Sequence, residues 1–171
     1  ILYKRLKKSK KLNEIVIAIP DDKANKKLGT FLKNKKIKVF FGSKYNVLNR
    51  YYKAAKKFNA NVIVRITGDC PLVDPKIVDQ AIKIFETKKC DYVSNTLKPT
   101  YPDGLDTEVF SVESLKKILK SSIKREDKEH VTTYIKRSKK FKKINFKNKF
   151  DYSKENWTLD EQEDFDFFER I

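Results

Sequence analysis

Three short apolar runs, Glu14-Ile-Val-Ile-Ala-Ile19, Ile37-Lys-Val-Phe-Phe41 and Val62-Ile-Val-Arg-Ile66, punctuate the first third of the chain. A run of β-branched residues without polar alternation reads as a strand covered on both faces. Between the second and third runs, Val47, Tyr51, Ala54, Ala55 and Phe58 recur at helical spacing; after the third, Ile77, Val78, Ala81, Ile82 and Phe85 do the same. Pro20-Asp21-Asp22 ends the first run and offers a cap for a helix from Lys23 to about Asn34, and Asp91 to Ser94 reads as a fourth strand. Strand and helix in alternation, with short connections, require crossover units and a mostly parallel sheet. The expected fold is therefore α/β and doubly wound.

The second half is less regular. Leu105 to Phe110, Phe141 to Phe146 and Trp157-Thr-Leu159 read as strands. Ser111 caps a helix to about Ser121, Asp127 opens another to about Arg137, and Glu163 to Ile171 closes the chain as a helix. With no internal repeat and no Pro-, Gly- or Ser-rich linker, residues 1–171 are expected to form one domain.

Composition removes several classes of function. The longest apolar stretch, Ile15 to Pro20, is far short of the roughly 20 residues that span a bilayer, so a cytoplasmic protein without a membrane partner is expected. Cys70 and Cys90 make no metal or disulfide spacing, His130 is the lone histidine, and four scattered glycines form no phosphate-cradling loop. The 40 basic and 23 acidic side chains leave a net +17, which invites a nucleic-acid reading. However, 34 of the 40 are Lys, and specific readers of nucleic acid favour the planar fork of Arg. Lys, Asn and Ile share A/T-rich codons, so genomic drift explains the excess more simply, and a nucleic-acid partner is not expected.

Ligands of an open parallel sheet sit beyond the carboxyl ends of its strands. There the third strand is followed by Gly68-Asp69-Cys70-Pro71, with Asp74 close behind, and the Trp157 strand by Asp160. Two carboxylates converging from separate strands suit a Mg²⁺ ion that also carries phosphate oxygens, although a single strand-end Asp more often caps the next helix. In Tyr101-Pro-Asp-Gly-Leu-Asp-Thr-Glu108, alternation sets Asp106 and Glu108 on one face, suited to sugar hydroxyls or equally to a solvated edge. Trp157 is expected in the core, and Cys70 has no base beside it.

The segments VIVRITGDCPLVDP (62–75), YPDGLDTEVFS (101–111), EHVTTYI (129–135) and WTLDEQEDFDF (157–167) resemble, in that order, the sugar cytidylyltransferases. The nearest look is to the spore coat polysaccharide biosynthesis protein F group, homologues of CMP-KDO synthetase and relatives of acylneuraminate cytidylyltransferase. The resemblance implies the nucleotide-diphosphosugar transferase fold, a homodimer, and a reaction of CTP with a sugar or sugar acid that yields CMP-sugar and pyrophosphate. It implies Asp69 and Asp160 as the Mg²⁺ ligands, Asp103, Asp106 and Glu108 as sugar partners, and Arg65 and His130 as further phosphate or sugar contacts. Family members open with a strand and a Gly- and basic-rich loop that this sequence does not show, so the 171 residues are expected to be N-terminally incomplete and poorly active. A basic nucleic-acid-binding module is disfavoured by the strand-end carboxylates. A glycosyltransferase on a similar fold is disfavoured by the lack of a DxD pair.

Overall fold

The computed structural model describes residues 1–121 and 123–170. In chain order its elements are α1 (Leu2–Leu6), β1 (Val16–Pro20), α2 (Lys26–Asn34), β2 (Lys38–Gly42), α3 (Val47–Lys57), β3 (Val62–Arg65) and α4 (Pro75–Thr87). There follow β4 (Tyr92–Ser94), β5 (Glu108–Ser111), α5 (Val112–Leu119), α6 (Arg125–His130), α7 (Thr133–Arg137), β6 (Lys143–Asn145) and α8 (Gln162–Glu169). The α/β alternation is thus present, and the strands form two sheets, β1-β2 and β3-β5-β4-β6. The β1–β2 and β4–β6 pairs are both parallel. No helix of the described residues is long and apolar enough to cross a membrane.

The chain divides into two compact units, each assembled from separate stretches of sequence. The first comprises Ile1–Leu12, Val64–Val109 and Lys143–Ile171, and the second Asn13–Ile63 and Phe110–Lys142. The division falls inside β3 and β5.

In the first unit, α4 starts where Asp74 accepts the backbone N–H of Lys76 at 2.8 Å and Pro75 presets the first helical φ. Its apolar stripe, Ile77, Val78, Ala81 and Ile82, is buried. The chain after α1 is tied to this helix by Asp79, which accepts the Ser9 hydroxyl and the backbone N–H groups of Lys10 and Lys11. Burial opposes the charge of Asp79, yet these donors hold its carboxyl below the ordinary range.

In the second unit, Ser111 caps α5 as its position predicts, accepting the Ser114 N–H at 3.0 Å. α2 lies so close to β2 that a Cβ on Gly29 would meet the Phe41 ring at 2.2 Å, so any larger residue there would have to push that ring aside. The helix expected from Asp127 to Arg137 is broken. At the break the Thr132 N–H donates to the His130 carbonyl, and Val131 has φ 58° and ψ −55°, a γ-turn conformation that β-branched residues avoid. The break is bridged by an ion pair on a buried carboxylate: Asp127 receives the partly exposed Arg137 on both carboxylate oxygens and the Lys124 N–H at 2.7 Å. The Arg137 hydrogen bonds hold the Asp127 carboxyl below its usual range despite burial.

Two strand expectations need revision. β1 is only partly covered, with Ile19 its one buried residue, whereas the run predicted burial on both faces. Among the described residues it pairs with β2 alone. Trp157 to Leu159 is not a strand; its neighbour Asn156 makes an isolated parallel bridge with Asp103. Trp157 is 40% exposed rather than a core residue. The closing helix ends at Glu169, and Ile171 lies outside the described residues.

Candidate active site

Six of the seven residues singled out by sequence, Arg65, Asp69, Asp103, Asp106, Glu108 and Asp160, fall within the first unit; His130 belongs to the second, where it is exposed at the end of α6. Backbone hydrogen bonds gather the segments of the first unit. The Leu159 N–H donates to the Asp69 carbonyl at 2.8 Å, so the residue preceding Asp160 is fastened to the turn after β3. The Trp157 N–H donates to the Asp103 carbonyl at 2.8 Å, and the Asp103 N–H to the Glu155 carbonyl at 2.9 Å. Gly104 makes this possible, because at φ +97° a Cβ would lie 2.6 Å from the Trp157 carbonyl group. The 101–108 turn and the 155–160 segment therefore lie against each other through backbone, not side chains.

The carboxylates on these segments differ in setting. Asp160 is exposed and accepts the Thr158 hydroxyl at 2.6 Å, while the Asp160 N–H is held by Asp164 at the start of α8. Asp69 is half-buried beside the Cys70 thiol. Burial pushes that thiol up to about 12, and the charges of Asp69 and Asp106 add to the effect. The thiol therefore stays protonated and is no nucleophile at neutral pH. Asp103 is exposed and closes its own turn by accepting the Gly104 N–H at 2.9 Å. Asp74, by contrast, is a helix cap.

Glu108 departs from expectation. It was read as a residue displayed on a strand face or solvated edge, but β5 lies between β3 and β4, and Glu108 is 1% exposed. It accepts the guanidinium of Arg65 on one oxygen and the Tyr92 hydroxyl on the other. Burial, with the Glu108 charge behind it, drives the Tyr92 phenol upward. Tyr92 and Thr158 were not singled out by sequence; a Thr two residues before a strand-end Asp was the available signal for Thr158, and Tyr92 gave none.

The donor set fits a divalent ion of the Mg²⁺ type. Such an ion needs one or two carboxylates, with water and phosphate oxygens completing its shell. No group of three or more candidate ligands occurs among the described residues, so an all-protein cage is not what these side chains form.

A family model described as cytidylyltransferase matches residues 1–171. The chain belongs to the cytidylyltransferase family. An uncharacterized protein of Methanocaldococcus jannaschii is 38% identical over 135 residues, 79% of this chain and 54% of that protein. The spore coat polysaccharide biosynthesis protein SpsF of Bacillus subtilis is 29% identical over 97% of this chain and 71% of its own length. The chain thus spans about half of the first relative and under three quarters of the second. A cytidylyltransferase from Leptospira borgpetersenii superposes with a TM-score of 0.92 at 32% identity, over 98% of this chain and 71% of that one. A CMP:2-keto-3-deoxy-manno-octonic acid synthetase complexed with CTP shares the fold, with a TM-score of 0.63 at 11% identity over 85% of this chain and 76% of that one. The expected nucleotidyltransferase fold is thereby established, and the four motifs that carried the resemblance sit in a cytidylyltransferase framework.

Proposed function

We propose that the protein transfers the cytidylyl group of CTP to a hydroxyl of a sugar or sugar acid, with Mg²⁺ held by Asp69 and Asp160, for surface polysaccharide synthesis. The observation that carries this reading is the 2.8 Å bond from the Leu159 N–H to the Asp69 carbonyl, which brings two carboxylate-bearing segments together from far apart in sequence. Family membership supports CTP as the nucleotide. In the reaction, the sugar oxygen bonds the α-phosphorus, the bond to the bridging oxygen breaks, and pyrophosphate leaves.

A bound metal ion would neutralise the charge that gathers on the phosphoryl oxygens. The residues of the chain do the rest. Thr158 fixes one Asp160 oxygen through its hydroxyl, which aims the other outward. Asp103 and Asp106 would accept sugar hydroxyls, a reading supported by the backbone bonds that hold Asp103 against the 155–160 segment. Glu108, with both oxygens engaged, orients Arg65 and Tyr92 rather than touching substrate. Arg65 would then face phosphate from a fixed position.

The test is pyrophosphate release from CTP across a panel of sugar acids and amino sugars, with and without Mg²⁺. Metal-dependent release with one acceptor class, and none with UTP or ATP in place of CTP, is expected. Metal-independent release, or no preference for CTP, sinks the proposal.

A further inference from the structure

Charge is shared very unequally between the two units. The second carries 23 Lys and Arg against 7 Asp and Glu, a net +16, whereas the first carries 17 against 16, a net +1. Codon drift toward Lys would act on both. It does not explain why one unit has fewer than half the carboxylates of the other, nor why no Asp or Glu occurs between Asp22 and Asp69.

α2 stands in the middle of that acid-free stretch. Its inner side buries Gly29 and Leu32. Its outer side leaves Leu28 43% and Phe31 56% exposed, three residues apart on one helical face. Lys27 and Lys35 lie four residues to either side of Phe31 on that same face, and the Lys35 ammonium is 5.9 Å from the Phe31 ring centroid. Lys23 and Lys36 are exposed just beyond the two ends of the helix, whereas Lys26 and Lys33 lie on its other flank, where Lys33 covers the Phe41 ring at 5.2 Å. An apolar pair flanked by ammonium groups matches the headgroup boundary of an anionic bilayer. There, a shallow apolar anchor and a basic cluster each bind too weakly alone but hold together. Nucleic acid fits less well, because an aliphatic Leu28 has no face on which to stack a base and point-charge Lys outnumbers Arg in this unit.

We propose that α2 docks the second unit on an anionic lipid surface, with Leu28 and Phe31 entering the headgroup boundary and the surrounding lysines facing lipid charge. The proposal rests on charge and exposure in this unit alone and does not depend on the transferase reading.

Co-sedimentation of the full chain with phosphatidylcholine vesicles, with and without about 30 mol % phosphatidylserine, tests it. Binding is expected only with phosphatidylserine, and should be lost at about 0.5 M salt. Leu28→Ser with Phe31→Ser should weaken it at least about tenfold, and Lys27→Gln or Lys35→Gln about fivefold each. Lys154→Gln in the first unit should leave it within about twofold. An unchanged melting temperature confirms that each variant is folded. Equal binding to neutral vesicles, or indifference to Leu28 and Phe31, overturns the proposal. So does binding to a short DNA duplex that is tighter than to vesicles, which would assign the basic surface to nucleic acid.

Discussion

The two units handle charge in opposite ways. In the first, acids and bases nearly balance, and the carboxylates of the candidate site are set by backbone contacts between segments far apart in sequence. In the second, bases outnumber acids by more than three to one, and the Asp127–Arg137 pair is a local staple across one helix break. Nearly all of the chain's net charge of +17 belongs to the second unit. Charge taken by unit rather than by chain separates the proposed metal and phosphate site from the proposed lipid-facing surface.

The largest effect expected from this contrast is on turnover. Asp69→Asn and Asp160→Asn should each reduce pyrophosphate release by a few powers of ten while leaving the melting temperature nearly unchanged, since size is kept and only a metal-directed charge is lost. Charge-removing changes at Lys27 or Lys35 should leave turnover in place. Steady-state kinetics beside thermal melts would show whether the units divide the work in this way.

Next in size is the buried network of the first unit. Glu108→Ala removes the acceptor of both Arg65 and Tyr92 in an interior strand and should cost about 4 kcal/mol by urea unfolding. A cost near zero would mean that the carboxylate is not buried as described. Gly104→Ala should cost about 3 kcal/mol, because the added Cβ meets the Trp157 backbone and φ is +97°. A neutral result would break the link between the 101–108 turn and the 155–160 segment.

The staple of the second unit should be weaker, since Arg137 is partly exposed and can turn to water. Asp127→Asn is expected to cost about 2 kcal/mol at pH 7. The folded pKa of Asp127 is depressed, so its contribution is present above the ordinary carboxylate range and is lost as pH falls through the lower folded value. Melting curves from pH 7 to pH 2 should therefore converge for wild type and variant at the acid end. A gap that stays constant with pH would refute the ionic origin.

Much of the fold was legible because it rests on local rules. The stripe of α4, the Asp74 and Ser111 caps, and the strand–helix alternation each follow from residues near one another in sequence. The failures share a cause in long-range contact. Trp157 to Leu159 has strand-like residues, yet its backbone is drawn to Asp103 and Asp69, and no extended ladder forms. Glu108 sits on an apparently alternating strand, but only its pairing with Arg65 and Tyr92, which periodicity cannot register, explains its burial. Asp69 does follow β3, as its apolar run predicts, whereas the segment before Asp160 forms no strand. The backbone bond that joins Asp69 to Leu159 has no sequence mark.

The γ-turn at Val131 bears on how this segment can change over time. A β-branched residue at φ 58° costs about 1 kcal/mol or more, yet Val131 is fully buried, and Val131→Gly would forfeit about 1.5–3 kcal/mol of side-chain burial, so stability should fall on balance. Packing, and not backbone preference, therefore keeps this residue in place. The residue that relaxes the turn is the one the core rejects, so the break that leaves His130 at the end of its helix is hard to lose by single substitutions.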